Sequence, residues 1–125
     1  MKVSELVLND EHDTISPDTS LVEATKKLLS LPRGVLIIVD NGNIPKGVLA
    51  DAQILRAVAE GLDCNTENCG QHMNTDIMSV GLDTEVSEIV AEMNARKPHA
   101  VVAVDSEGSF AGYFSPNDYR EALSN

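Results

Sequence analysis

Two kinds of apolar pattern alternate along this chain, and their order in the first half is repeated in the second. One is a stripe with helical spacing, which predicts an amphipathic helix, and the other is a short continuous apolar run, which predicts a buried strand. The runs span residues 35–39 and 100–104. The stripes consist of Leu21, Ala24, Leu28 and Leu31 in the first half and of Val86, Ile89, Val90 and Met93 in the second. The sequence therefore predicts a mixed α/β (α+β) fold built from two similar halves.

The two halves align without a gap when residues 14–58 are moved forward by 65 positions onto residues 79–123. The identical pairs are Asp18/Asp83, Thr19/Thr84, Glu23/Glu88, Val39/Val104, Asp40/Asp105, Gly47/Gly112 and Ala57/Ala122. A repeat of about 60 residues has only a marginal core of its own, so we expect the copies to fold together about a pseudo-two-fold axis. The predicted boundaries are 1–62 for the first repeat, 63–71 for a linker and 72–125 for the second repeat.

Each half carries the signals of a β-α-β-β-α unit. First strands are predicted at 13–16 and 77–81, ahead of the helical stripes, and hairpin turns at 40–43 and 105–108, after the buried runs. Second strands are predicted at about 46–50 and 110–115, and last helices at about 51–60 and 116–123. Ser20 and Glu23 have the spacing of a capping box at the start of the first helix. Pro32 and Pro98 should end the first helix of each half, since proline disfavours a helical residue before it.

Composition and charge narrow the class of partner. Hydrophobic residues make up 42% of the 125 positions, which is typical of a globular domain, and the formal net charge is -11. Nucleic acids and anionic membranes are bound through Lys and Arg, so neither is expected as a partner. The sequence has no apolar stretch long enough to span a bilayer and no secretory pattern at its start, so we expect a cytoplasmic location.

A weak candidate for a metal site lies between the two repeats. Cys64, Cys69 and His72 form a Cys-x4-Cys-x2-His pattern, whereas a closed zinc site usually needs four ligands at tighter spacing. Three alternatives remain open at this point: two free thiols, a disulfide, or an incomplete metal site. We expect no metal. We also expect no catalysis, because no nucleophile–base set or glycine-rich phosphate loop is placed at a strand end.

The strongest candidate for ligand chemistry is residues 112–118, Gly-Tyr-Phe-Ser-Pro-Asn-Asp, where a predicted strand passes directly into a helix. Ser115 suits the N-cap and Pro116 the first helical position, so the turn offers free backbone N–H groups to a phosphate. The Asp118 carboxylate could accept hydrogen bonds from sugar hydroxyls. The alternative is that Ser-x-x-Asp is only a cap. The nearby cations are Arg96, Lys97 and Arg120, which suit either a phosphate or the negative end of a helix dipole.

The tandem β-α-β-β-α order resembles a pair of CBS domains, also called a Bateman module, and the resemblance covers nearly the whole chain. The matching pieces are 14–21, 39–40 and 47–49 in the first copy, and 72–80, 104–105 and 112–118 in the second. The resemblance implies a small stand-alone regulatory module that binds AMP, ADP, ATP or S-adenosylmethionine in the inter-repeat cleft and requires no cofactor. It also implies a homodimer formed through helices and a separate, unidentified target protein.

The resemblance also assigns site residues, because the family signature is Gly, two apolar residues, Ser or Thr, any two residues, and Asp. The second copy matches it with Ser115 and Asp118, and the adenine is expected between 76–78 and 99–100. The implied ligand residues are Asp76, Ile77, Met78, Lys97, Pro98, His99, Ala100, Ser115, Asn117, Asp118 and Arg120.

The first copy departs from the signature, since Ala50 and Gln53 replace its hydroxyl and its carboxylate, and Asp51 adds a negative charge that disfavours phosphate. A degenerate second site is therefore expected. Its residues are Arg33, Gly34, Val35, Ala50 and Gln53. Because the first copy matches the signature incompletely, an alternative function stays open. In this alternative, the module binds no ligand and acts as a structural or dimerisation module on a partner protein.

Overall fold

The computed structural model describes residues 1–6, 8, 12–31, 34–114 and 124, and it contains two separate three-stranded sheets with helices. The chain divides into two compact units. The first-repeat unit is Glu11–Thr75, and the second-repeat unit combines Met1–Asp10 with Asp76–Asn125. The units follow packing rather than chain order, so the first ten residues belong with the second repeat, and the stretch predicted as a linker belongs with the first.

The helices and strands follow the predicted order. The first-repeat unit contains β1 (His12–Ile15), α1 (Leu21–Leu29), β2 (Val35–Val39), β3 (Pro45–Leu49), α2 (Asp51–Ala59) and α3 (Cys69–His72). The second-repeat unit contains a short 3₁₀ helix (Val3–Glu5), β4 (Ile77–Gly81), α4 (Val86–Arg96), β5 (Ala100–Val104) and β6 (Phe110–Phe114). All six predicted strands and the helices α1, α2 and α4 are confirmed. The helix α3 was not predicted, and the helix expected at 116–123 lies outside the described residues.

The two sheets have the same topology and the same register. In each, the first strand is parallel to the middle strand, and the last strand is antiparallel to it. Thr14 lies opposite Ile37 in one sheet, and Ser79 lies opposite Val102 in the other, which are the positions that the 65-residue repeat aligns. Even the break in register recurs, after Ile38 and after Ala103. The repeat seen in the sequence is therefore a repeat of backbone pairing.

The hairpin turns explain why aspartate is repeated at positions 40 and 105. The Asp40 carboxylate accepts hydrogen bonds from the N–H groups of Gly42 and Ile44, at 2.9 and 3.0 Å. The bond from Ile44 is the main reason that the pKa of Asp40 lies below its ordinary value. The Asp105 carboxylate accepts the corresponding bonds from residues 107 and 109, at 2.9 and 3.0 Å. A carboxylate that accepts two backbone bonds fixes the turn between its strands.

Each unit is completed by a segment that comes from outside its β-α-β-β core. We call residues 68–74, and residues 1–6 together with Leu8, the crossing segments. In the first-repeat unit, Val48 of β3 exchanges two backbone hydrogen bonds with Asn74, at 2.9 and 2.8 Å. In the second-repeat unit, the N–H of Tyr113 in β6 donates to the Leu8 carbonyl at 3.0 Å. Each crossing segment also buries a side chain completely, Cys69 in one and Val3 in the other.

The predicted starts and ends of the helices are confirmed only in part. Half of the predicted capping box is present, because the Ser20 hydroxyl accepts from the Glu23 N–H at 3.2 Å, while the Glu23 carboxylate contacts the Lys26 ammonium at 3.2 Å. Pro98 follows α4, which ends at Arg96, as predicted. Pro32 lies outside the described residues. No helix in the described part of the chain has the length and apolar content needed to cross a bilayer.

Candidate functional site

The described residues among the predicted ligand residues of the second repeat lie at one edge of its sheet, which we call the site edge. The starts of β4 and β5 lie there, since Ile77 pairs with Ala100, and so does the end of β6, since Phe114 pairs with Val101. The helix α4 joins two parallel strands, so it must return the chain to the same edge, where it ends at Arg96. The topology therefore brings 76–78 and 96–100 together. Ser115, Asn117, Asp118 and Arg120 follow Phe114 in the chain but lie outside the described residues.

Two polar contacts tie the loop after α4 to the start of β4. The backbone N–H of His99 donates to the Asp76 carboxylate at 3.1 Å. The Arg96 guanidinium donates from Nη2 to the Ile77 carbonyl oxygen at 2.9 Å. Both residues 76 and 99 are exposed, so the edge is accessible to solvent in the second-repeat unit. The contact of Arg96 was not predicted, since no local sequence pattern links residues 19 positions apart.

Lys97 turns the chain between α4 and this edge in an unusual conformation. Its φ of 49° and ψ of 59° place it in the left-handed region, which is uncommon for a residue other than glycine. Its N–H donates to the Met93 carbonyl at 2.8 Å and so ends the helix with a left-handed cap. The lysine side chain is exposed at the positive-φ position, and Pro98 follows it directly.

Apolar surface at the site edge comes from few side chains. Met78 is buried in the hydrophobic core of the second-repeat unit, together with Val80 and Val101. Ala100 is also buried, whereas the Ile77 side chain is half-buried. Ile77 and Pro98 are therefore the half-buried apolar residues that a base could contact in the described part of this edge.

At the corresponding edge of the first repeat, the side chain aligned with Asp118 is buried and caps its own helix. Gln53 is only 7% exposed, and its side-chain oxygen accepts a hydrogen bond from the Ala50 N–H at 2.7 Å, across the start of α2. Asp51 is exposed at the first helical position. Gly34 and Val35 lie at the same edge, at the start of β2, and Arg33 lies outside the described residues. The amide that replaces the signature aspartate thus serves as a helix cap.

The two cysteines are free thiols in different surroundings. Cys64 is half-buried, whereas Cys69 is fully buried with its sulfur 3.7 Å from the Ser20 carbonyl oxygen. His72 is paired with Glu67 through Nε2 and Oε1 at 3.0 Å. Among the described residues, no three His, Cys, Asp or Glu side chains are grouped so that they could hold a metal ion. Burial raises the pKa of the Cys69 thiol from 9.0 to about 11.

The different burial of Cys64 and Cys69 predicts that one thiol per folded chain reacts with a disulfide reagent at pH 8, and that two react in denaturant. Two fast-reacting thiols in the folded protein would contradict the burial of Cys69.

The raised pKa of Cys69 also predicts how stability depends on pH. Because folding raises this pKa, the neutral thiol stabilises the fold fully below pH 9, and this contribution is lost as the pH rises towards about 11. The unfolding free energy of Cys69→Ala should therefore fall less than that of the wild type over this range.

A second surface feature lies on the helices of the first-repeat unit. A groove of about 410 Å³ runs between α1 and α2 and is lined by Thr25, Leu28, Leu29, Leu31, Asp51, Ile54 and Leu55. Three large apolar side chains on these helices are exposed: Leu29 (79%), Leu55 (67%) and Val58 (61%). Leu29 and Leu55 line the groove from the two helices, so an exposed apolar surface spans both of them. We call this surface the leucine groove.

The family model for the CBS domain matches residues 3–60 and residues 69–125 of this chain. A putative acetoin utilization protein (AcuB) from Vibrio cholerae has a similar structure, with a TM-score of 0.79 and 19% sequence identity. The likeness covers 100% of this chain and 91% of that one. The fold predicted from the repeat is confirmed by this likeness.

Two similar structures contain a bound nucleotide. CBSX2 in complex with AMP has a TM-score of 0.73 and 18% identity, over 98% of this chain and 96% of that one. The cytosolic domain of the Mg²⁺ channel MgtE in complex with ATP has a TM-score of 0.73 and 21% identity, over 94% of this chain and 47% of that one. At these identities the likeness establishes the fold, and the nucleotides belong to those two proteins.

Proposed function

Because the chain belongs to the CBS domain family, we propose that it is a regulatory module that binds an adenosine nucleotide at the site edge of its second repeat. The ligand class is AMP, ADP or ATP, and the role is sensing rather than catalysis. Support for the class comes from the AMP and ATP complexes of two proteins with the same fold. The cytoplasmic location and the target protein stay predictions from the sequence.

One observation supports a ligand site in the second repeat rather than in the first. In the first repeat, the residue aligned with Asp118 is Gln53, which is buried and caps its own helix through the Ala50 N–H. In the second repeat, the aligned positions keep both signature side chains, Ser115 and Asp118. The described part of the site edge adds the exposed residues Asp76 and His99 and the cationic loop of Arg96 and Lys97. We therefore propose that the second repeat has a competent ligand site and that the first repeat has only a degenerate one.

The proposed roles follow from the chemistry of each group. The Asp118 carboxylate accepts from the ribose hydroxyls, and Ser115 and Asn117 donate to phosphate oxygens at the start of the last helix. Arg120 and Lys97 neutralise phosphate charge, which matters in a chain with a net charge of -11. The base lies against Ile77, between residues 76–78 and the edge formed by Pro98, His99 and Ala100.

The test compares two substitutions at aligned positions of the repeat. Melting temperatures of the wild type, Asp118→Ala and Gln53→Ala are measured with adenosine, AMP, ADP, ATP and S-adenosylmethionine at millimolar concentration. A ligand at about 100 times its Kd adds roughly 2.7 kcal/mol of stability, a shift of several degrees for a domain of this size. We expect Asp118→Ala to lose the shift and Gln53→Ala to keep it.

Two results would count against the proposal. A shift that survives Asp118→Ala but disappears with Gln53→Ala would move the site to the first repeat. No shift with any compound would leave the alternative function, in which the fold serves as a ligand-free dimerisation module acting on a partner protein.

We also propose that the protein forms a homodimer through the leucine groove of the first-repeat unit. The exposed apolar side chains on α1 and α2 are the observation that supports it, since a contiguous apolar patch on a globular domain usually marks a contact surface. We propose a second copy as the occupant, because the family resemblance implies a homodimer formed through helices and this groove lies between two helices.

A further inference from the structure

We propose that Asn41 is a site of spontaneous deamidation and that the Asp40 carboxylate holds this reaction back in the folded protein. The proposal concerns the hairpin between β2 and β3 and is independent of any ligand. Asn41 and Gly42 are the central residues of its turn, since the Asn43 N–H donates to the Asp40 carbonyl at 2.9 Å. Both central residues are exposed to solvent. Protection is inferred from the 2.9 Å hydrogen bond that the Gly42 N–H donates to the Asp40 carboxylate.

An asparagine followed by glycine supplies both reacting groups. The backbone nitrogen of Gly42 loses its proton and attacks the side-chain carbonyl carbon of Asn41, which closes a cyclic imide. The bond from that carbon to the side-chain nitrogen breaks, and this nitrogen takes up a proton and leaves as ammonia. Water then opens the ring at either carbonyl, so residue 41 becomes aspartate or isoaspartate. Glycine favours the attack because it has no Cβ to shield its nitrogen.

The bond to Asp40 opposes the first step of this reaction. Loss of the proton from the Gly42 nitrogen would break a hydrogen bond to an ionised group and leave two negative charges 2.9 Å apart. The carboxylate is ionised at neutral pH, because the backbone bond from Ile44, at 3.0 Å, chiefly lowers the pKa of Asp40. The Lys46 ammonium, 3.6 Å from the same carboxylate, also favours its ionised form.

The hairpin of the second repeat has the same hydrogen bonds but carries no asparagine before a glycine. The aligned residues of its turn are Ser106 and Glu107. The Glu107 N–H donates to the Asp105 carboxylate at 2.9 Å, and the Gly108 N–H donates to the Asp105 carbonyl at 3.0 Å. The two hairpins are therefore a matched pair in which only the first contains the reactive sequence.

Deamidation would change the first hairpin itself. Isoaspartate at position 41 lengthens the backbone of the turn and places a second carboxylate beside Asp40. The bonds from Gly42 and Ile44 to Asp40 depend on the present spacing of the turn, so the modification should loosen the connection between β2 and β3.

The experiment measures isoaspartate at residue 41 by peptide mapping and mass spectrometry. The wild type, Asp40→Asn and Asp40→Ala are incubated at mildly alkaline pH, each folded and in denaturant. Folded Asp40→Ala should deamidate at least about tenfold faster than the folded wild type, the effect of one hydrogen bond to a charged group. Folded Asp40→Asn, which keeps an acceptor oxygen without the charge, should lie between them. In denaturant the three proteins should react at similar rates, because the bond is lost.

Transfer of the reactive pair to the second hairpin gives a test at another position. Folded Ser106→Asn/Glu107→Gly should react slowly at residue 106, and the further change Asp105→Ala should accelerate it as Asp40→Ala does at residue 41. Circular dichroism shows whether each variant is folded. The inference would be overturned if the folded wild type reacted as fast as the denatured chain, or if removal of the aspartate had no effect in either hairpin. Absence of deamidation at Asn41 in denaturant would show that this residue is not a modification site.

Discussion

Replacement of Gly47 with alanine is expected to lower the free energy of unfolding by about 2–3 kcal/mol. A Cβ at this position would lie 2.8 Å from the Asn74 carbonyl oxygen and 2.8 Å from the Met73 sulfur. The sulfur could move, but the carbonyl belongs to a crossing segment that is held by two backbone bonds between Val48 and Asn74, at 2.9 and 2.8 Å. The methyl group must therefore break those bonds or push the segment off β3.

The same substitution at Gly112 should have a similar cost in the second-repeat unit. A Cβ there would lie 2.8 Å from the Leu8 carbonyl oxygen and would overlap the Leu8 Cβ. Gly42 provides the matched control, since a Cβ on it would meet nothing closer than the Asp40 carboxylate at 3.5 Å. We expect Gly42→Ala to stay within about 0.5 kcal/mol of the wild type.

Urea unfolding of the three variants and the wild type measures these differences. If Gly47→Ala and Gly112→Ala proved as stable as Gly42→Ala, the crossing segments would not approach the sheets as closely as the structure shows. A loss confined to one of the two variants would mean that only one crossing segment contributes to the stability of its unit.

The glycine pair also shows what the sequence could predict and what it could not. The identity of Gly47 and Gly112 was visible in the repeat, and the resemblance placed both in a ligand signature. The structure adds a separate reason for glycine, because a backbone from outside the repeat passes over each one. That passage joins residue 47 to residue 74 and residue 112 to residue 8, and no local pattern encodes contacts over such separations.

Local elements were predictable because their causes are local. The continuous apolar runs became β2 and β5, each with four buried residues, since both faces of these middle strands are covered. The aspartates at 40 and 105 fix their hairpins through bonds to residues two and four positions later. The equal spacing of strands and turns in the two repeats explains why the two sheets have the same register.

The candidate site was predictable only in part. The resemblance and the topology agree on residues 76–78 and 97–100, which the sheet brings to one edge. The contact of Arg96 with Ile77 depends on where α4 ends relative to β4, which the helical stripe alone does not specify. The capping role of Gln53 likewise follows from its burial at the start of α2. The sequence pattern did not determine such contacts, because they depend on how elements that are distant in the chain pack together.

Introduction of an aspartate at Leu29 is expected to convert a dimer into a monomer at micromolar concentration. Leu29 is 79% exposed in the single chain and lines the leucine groove, so in the proposed dimer its side chain would be buried against the second copy. An unpaired carboxylate in such an interface carries a desolvation cost of several kcal/mol, which weakens association by about 100-fold or more. Sedimentation equilibrium of the wild type and Leu29→Asp measures the change.

The repeat supplies the control for this prediction, since Asn94 on α4 occupies the position aligned with Leu29 and is exposed. Asn94→Asp adds the same single negative charge to a chain that already carries -11, so both variants increase electrostatic repulsion between copies equally. We expect Asn94→Asp to remain dimeric, and added salt to strengthen its association by screening that repulsion. If the two variants weakened association equally, net charge and not the leucine groove would control it. A wild type that stays monomeric at high salt would contradict the proposed dimer.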